Sequence, residues 1–151
     1  MKINGIHYRT VWLEGGVVKM INQAVLPHIF QIVELRTHRD TACAIRDMTI
    51  RGAGAIGGAG GYGMAQAVME APDNSSFMED VERGAATLAQ TRPTAQNLFY
   101  AIDRVLSAVK LEPSREAARR RAVEAAEANA NEDAESCAAI GNLGASLLKD
   151  G

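Results

Sequence analysis

The 151-residue sequence is poor in aromatic residues, which make up 5% of it, and holds only two cysteines, four prolines and one tryptophan. So few aromatics leave the core to Ala, Val, Ile, Leu and Met, which favours closely packed helices. Cys43 and Cys137 are far apart and lack metal-ligand spacing, which argues against a disulfide framework or a zinc site. Their alanine-rich surroundings suggest small buried hydrophobes in a reducing compartment. No apolar run approaches the eighteen or so residues of a membrane span, and MKINGIHYRT has no signal-peptide core, so the expectation is a soluble, cytoplasmic protein with no membrane partner. The net charge of −2, with no basic face, gives nucleic acid nothing to bind. The arginines at 115, 119, 120 and 121 are interleaved with glutamates and read as a solvated helix face.

Glycine, by contrast, is concentrated. Met48 to Met64, MTIRGAGAIGGAGGYGM, holds seven of the fourteen glycines and a single charge, Arg51. Such a segment is neither a solvated helix nor an ordinary strand, and something must approach its backbone closely. From Ala53 onward the alanines, Ile56, Tyr62 and Met64 read as helix, which puts Arg51, Gly52, Ala53 and Gly54 at a helix N-terminus. Unpaired N–H groups and the positive dipole end favour an anion there, and Arg51 adds a forked donor suited to phosphate. Gly52-x-Gly54-x-x-Gly57 matches the dinucleotide fingerprint, but the preceding residues read as helix and the position about twenty residues on is a loop, so no nicotinamide or flavin cofactor is expected. A Walker-type loop is excluded because no Lys-Ser or Lys-Thr follows. The later glycines, Gly57 to Gly63, suit close helix packing.

The remaining chain reads as a small β region and a helical bundle, an α+β fold of one domain with the sheet in residues 1–36 and the bundle in 37–148. Residues 9–20 read as a hairpin turning at Gly15-Gly16, with Trp12 as its core anchor, and Ile29 to Leu35 as a further strand. Thr37 with Asp40 forms an approximate capping box for a helix whose Ala42, Ile45 and Met48 share a face. His7, His28 and His38 have no metal-ligand spacing, so no metal is expected. Ser75 or Ser76 opens a helix with the stripe Phe77, Val81, Ala85 and Leu88, and Thr94 caps another with Leu98, Ile102, Val105 and Val109. Pro93 holds Arg92 extended just before that second N-terminus, where it is either an anion ligand or a surface arginine tied to a carboxylate. The last segment, from Ser114 to Leu148, is helix-forming, with possible interruptions at Asn129-Ala130-Asn131 and Gly141 to Gly144. About five helices result.

Several motifs then occur in a particular order: Arg9 to Glu14 (RTVWLE), Ile21-Asn22-Gln23 to Leu26-Pro27, Met48 to Gly57, Gly61-Tyr62-Gly63-Met64, and Arg92 to Leu98 (RPTAQNL). Together they closely resemble the amino-terminal half of the methylthioribose-1-phosphate isomerases, a family that also embraces ribose-1,5-bisphosphate isomerases and regulatory subunits of initiation factor 2B. The resemblance implies a small sheet and helical bundle preceding a Rossmann-like domain, in a dimer that converts an aldose 1-phosphate to a ketose 1-phosphate in methionine salvage. It implies that Arg51, Gly52 and Ala53 bind substrate and that Arg92 contacts its phosphate. The catalytic cysteine and aspartate of the family belong to the second domain, so the resemblance implies no catalytic residue in this chain and no turnover by it alone. The carboxy-terminal domain, or a chain carrying it, would be a partner, and oligomerisation would cover an apolar docking face. Gly54 is a departure, since the namesake enzymes usually carry proline there. The other reading is a non-catalytic scaffold domain like the initiation-factor subunits.

Overall fold

A computed structural model of the chain describes residues 2, 3 and 5–148. The order is β1 (Lys2–Ile3), β2 (Ile6–His7), β3 (Val11–Glu14), β4 (Val17–Ile21), β5 (Ile32–Leu35), then α1 (His38–Arg46), α2 (Ala53–Glu70), α3 (Phe77–Ala89), α4 (Gln96–Lys110) and α5 (Arg115–Ala145). This is the expected α+β arrangement of a small antiparallel sheet followed by five helices.

β3 and β4 form a hairpin in which Glu14 faces Val17 across Gly15 and Gly16. Those glycines have φ of +58° and +82°, the positive pair that a two-residue hairpin loop requires. β5 pairs antiparallel with β4, and it is shorter than the expected 29–35. Alternation puts Val11, Leu13, Val18 and Met20 on the face that packs on the helices. Trp12 falls on the opposite face, paired with Lys19, and is only half-buried, so it is not the core anchor. Lys19 there bridges Glu14 (2.8 Å) and Glu34 (3.5 Å). The separate β1–β2 pairing was not expected from the sequence.

α2 is the axis of the bundle, and its glycines explain why. Gly58 and Gly61 face Ala130 and Ala126, so α5 runs antiparallel against one side of α2. Gly57 and Gly60 face Asn97 and Leu98, while Gly61 also faces Ala101, so α4 runs parallel to α2 on another side. Gly63 accepts Leu88 of α3 and Thr41 of α1. With no Cβ at these positions, four helices lie against a single one, and Ile56 through Val68 are buried without a break. This bears out the packing role read for the later glycines.

The sheet is pinned to the bundle by Gln66, which is 1% exposed. Its Nε2 donates to the carbonyls of Leu35 (2.8 Å) and Gly16 (3.3 Å), and its Oε1 accepts from Thr41 Oγ1 (2.7 Å). A buried amide must find such partners, and here it ties β5, the hairpin turn and α1 to the central helix.

Helix ends follow the sequence in part. Thr37 and Asp40 complete the capping box of α1. The helix ends at Arg46, so Met48, at φ +61°, lies beyond it and is exposed rather than sharing the apolar face. The N-cap of α4 is Ala95 and not Thr94, because a turn closed by the Ala95 N–H on the Arg92 carbonyl (3.0 Å) moves the helix start one residue on. Ser76 stands at the α3 N-cap, and the stripe from Phe77 to Leu88 is buried as read. α5 is unbroken over 31 residues, and neither suspected interruption interrupts it. Arg120 and Arg121 are exposed and pair with Glu124 as a solvated face would. Arg119 instead turns inward, donating to the Ala71 carbonyl (2.6 Å), pairing with Asp73 (2.9 Å) and lying 5.6 Å over the Phe77 ring. His38 is likewise fastened: its N–H donates to Glu70 Oε1 (2.7 Å) and its Nδ1 lies 2.6 Å from Oε2, joining the start of α1 to the end of α2.

Candidate functional site

The approach to α2 is set by two short segments. After α1, Ile50 is fully buried while Thr49 is held by the Ala44 carbonyl (3.0 Å). The chain leaving β4 grips the same loop: the Gln23 N–H donates to the Thr49 carbonyl (2.9 Å), and Gln23 Oε1 accepts from the Arg51 N–H. These contacts fix the backbone of Arg51 and leave its side chain exposed, without an ion pair or hydrogen bond of its own among the described residues. Gly52 follows at φ +93°, a value that disfavours any side chain, and forms the N-cap of α2 with no side-chain capping bond. Its carbonyl starts the helix by accepting from the Ile56 N–H (2.9 Å). Ala53 is the first helical residue. An 18-residue helix thus begins with no acidic residue in its first turn and a free guanidinium one residue ahead of its cap.

Arg92 reaches the same end of the bundle by a different route. Because α4 runs parallel to α2, with Asn97 beside Gly57, the two helices begin side by side, and Arg92 lies three residues ahead of the α4 N-cap. It is half-buried, and its Nη1 is wholly buried with no hydrogen-bond partner among the described residues. Among the described residues it is in no ion pair, unlike most of the arginines. A buried guanidinium nitrogen without an acceptor is costly, and Arg119 Nε is the other such nitrogen among the described residues.

Two clefts open at the start of α2. One, of about 270 Å³, lies between Arg9 to Val11, Gly54, Asp133 and Cys137. The other, of about 180 Å³, is lined by Gly54, Gly57, Asn97, Tyr100 and Asp133 among others. Asp133 of α5 borders both, and its carboxylate occupies the place that a Cβ on Gly54 would take. Glycine at 54 and aspartate at 133 are therefore coupled: a larger residue at 54 requires the carboxylate to move. The adjacent Glu132 is held by a two-pronged pair with Arg104 (2.5 and 2.7 Å), which lowers its pKa and raises that of Arg104. Tyr62, on the α2 surface nearer the core, is pushed above 10.0 by burial, with a smaller push from Glu127.

Asp133 was not singled out by the sequence, although a signal existed. Gly54, Gly58 and Gly61 recur at helical spacing, and a stripe of that kind calls for an opposing one, here Asp133, Ala130 and Ala126. Gln23 had no local signal, since its role depends on a contact 28 residues away. Both cysteines are exposed, contrary to the small-hydrophobe reading, because Cys43 lies on the outer face of α1 and Cys137 on the part of α5 that extends past the bundle. Cys43 Sγ accepts from Arg46 (3.2 Å). Among the described residues no group of three or more His, Cys, Asp or Glu is placed to hold a metal ion, and no helix is long and apolar enough to cross a membrane.

A family model described as the initiation factor 2 subunit family matches residues 49–151. A methylthioribose-1-phosphate isomerase from Methylorubrum populi is 43% identical over 152 residues, covering 99% of this chain and 40% of that protein. Among solved structures, 5-methylthioribose 1-phosphate isomerase from Pyrococcus horikoshii superposes with a TM-score of 0.89 at 36% identity, over 95% of this chain and 41% of its own. The delta subunit of translation initiation factor eIF-2B from A. fulgidus gives 0.87 at 37% identity, over 96% and 43%. The chain thus spans about two fifths of the length of these relatives, matching nearly end to end over that part. On this evidence the chain belongs to the initiation factor 2 subunit family, which its sequence motifs had pointed to.

Proposed function

We propose that this chain is the phosphate-gripping portion of an aldose–ketose isomerase acting on a sugar 1-phosphate of the methylthioribose 1-phosphate kind. One observation carries the proposal: among the described residues Arg51 and Arg92, at the starts of two parallel helices, are both without a carboxylate partner. The Gly52 cap offers N–H groups and the positive dipole end of α2 to an anion, and Arg51 and Arg92 supply charge from either side. Ala53, small and first in the helix, lets the phosphate come close to the backbone. This part of the chain binds substrate and contributes no catalytic group. Turnover needs the cysteine and aspartate that the family resemblance assigns to a following domain, and the apolar Ile140 and Leu143 on the projecting end of α5, with Leu147 just beyond it, suit contact with that domain or a second copy.

A scaffold role, as in the initiation-factor subunit to which the fold is nearly as similar, is the second reading. It gives Arg51 and Arg92 no reason to stand unpaired. Titration of the nitrogen-15-labelled chain with ribose 1-phosphate distinguishes the two. The amides of Gly52 and Ala53 should shift, and Arg51→Ala or Arg92→Ala should each weaken binding about tenfold or more, the usual effect of losing a charge-assisted hydrogen bond. Affinity unchanged in both variants would refute the phosphate site. Measurable isomerisation by the wild-type chain alone would refute the assignment of catalysis to a further domain.

A further inference from the structure

Asp133 stands out among the carboxylates near the proposed phosphate site. Glu132 beside it is neutralised by Arg104, whereas Asp133 is partly buried yet makes no hydrogen bond or ion pair with any described residue. Its carboxylate rests against Gly54, in the first turn of α2, and borders both clefts. As a carboxylate it presents two acceptor oxygens and no donor. A ligand entering the clefts beside it would meet it with donors.

Gly54 is two residues from Gly52, a reach of at most about 7 Å along the chain. A dianionic phosphate directly against Asp133 would be repelled, so a phosphate at Gly52 and Ala53 has to direct its uncharged part toward the carboxylate. In a sugar phosphate that part carries hydroxyl groups, and adjacent hydroxyls match the two oxygens of a carboxylate as paired donors. We propose that Asp133 is a specificity residue that accepts hydrogen bonds from neighbouring hydroxyls of the sugar, so that the site takes a polyol phosphate in preference to bare phosphate or a deoxygenated analogue. The inference rests on the phosphate site proposed above. It also gives the glycine at 54 a role: a Cβ there would drive the carboxylate from its place. If Asp133 only balanced the dipole of α2, its removal would change stability and leave ligand preference alone.

The test uses the whole chain and three probes, ribose 1-phosphate, 2-deoxyribose 1-phosphate and inorganic phosphate, followed through the Gly52 and Ala53 amides. Wild type should bind ribose 1-phosphate about tenfold tighter than the deoxy sugar, the worth of one hydrogen bond to a charged group. Asp133→Asn should reduce that preference to within about twofold while inorganic phosphate binds as well as before or better. Asp133→Glu, which keeps the charge but shifts the oxygens by one methylene, should also lose the preference, and the amide spectrum of each variant reports that it is folded. An undiminished preference in Asp133→Asn overturns the specificity role and leaves the phosphate site standing. Failure of wild type to bind any of the three overturns both.

Discussion

The glycines of α2 make opposite demands at positions two residues apart, and the difference can be worked out. At Gly63 an added Cβ would lie 2.9 Å from Leu88 Cδ2 and 2.9 Å from Thr41 Cγ2. Thr41 cannot yield easily: it is β-branched, fully buried, and its hydroxyl is bonded to Gln66, which in turn holds the sheet. Overpacking of this kind costs about 1–3 kcal/mol, and disturbing the Thr41–Gln66 bond adds about 1 kcal/mol or more. Replacing glycine by alanine in a helix returns about 1 kcal/mol. Gly63→Ala should therefore destabilise by about 1–3 kcal/mol, lowering Tm by roughly 3–9 °C for a chain of this size. At Gly61 the nearest atoms are the Cα and Cβ of Ala126, at 3.6 and 3.7 Å, and the Cβ of Ala101 at 3.8 Å, which are ordinary contacts. There the propensity gain is unopposed, and Gly61→Ala should stabilise by about 0.5–1 kcal/mol. Thermal and urea unfolding followed by circular dichroism at 222 nm would compare the two. If Gly61→Ala loses as much stability as Gly63→Ala, the packing derived for α2 is wrong.

Other predictions follow from the same contacts. Gln66→Leu leaves the Leu35 and Gly16 carbonyls and the Thr41 hydroxyl without their partner, and urea titration should show a loss of about 2–4 kcal/mol, whereas a loss below about 1 kcal/mol would mean that water replaces the amide. Tyr62 has a folded pKa raised above 10.0, so it contributes stability that is present in full below pH 10.0 and is lost as pH rises through the higher folded value. Stability measured between neutral pH and pH 11 should thus decline less steeply in Tyr62→Phe than in wild type, and parallel declines would count against the burial argument. Glu132 is lowered below 4.5 by Arg104, so the pair helps the fold above pH 4.5 and its help is lost as pH falls through the lowered folded value. In Arg104→Gln the Glu132 carboxyl, followed by carbon-13 chemical shift, should titrate closer to 4.5, and high salt should move the wild-type value the same way because the pair is exposed.

Local chemistry made much of the fold legible. The Gly15-Gly16 turn, the Thr37–Asp40 capping box and the Phe77-to-Leu88 stripe each depend on residues within a few positions of one another, and each was read from the sequence. The start of α2 was legible for the same reason: a glycine-rich stretch with one arginine can only begin a helix where positive φ and an open N-terminus are wanted. Trp12, the two cysteines and the Thr94 cap were misread because local pattern does not say which face of a strand or helix the bundle covers, nor where a turn ends. Tertiary structure alone decided the rest. The parallel run of α4 along α2 brings Arg92 to the end of the bundle where Arg51 stands, and the antiparallel run of α5 lays Asp133 on Gly54. The sequence could specify which side chains carry charge and which backbone positions stay bare. Which of them meet depends on the direction of neighbouring helices, and that follows from close packing against the glycines of α2, a property of the assembled bundle rather than of any one segment.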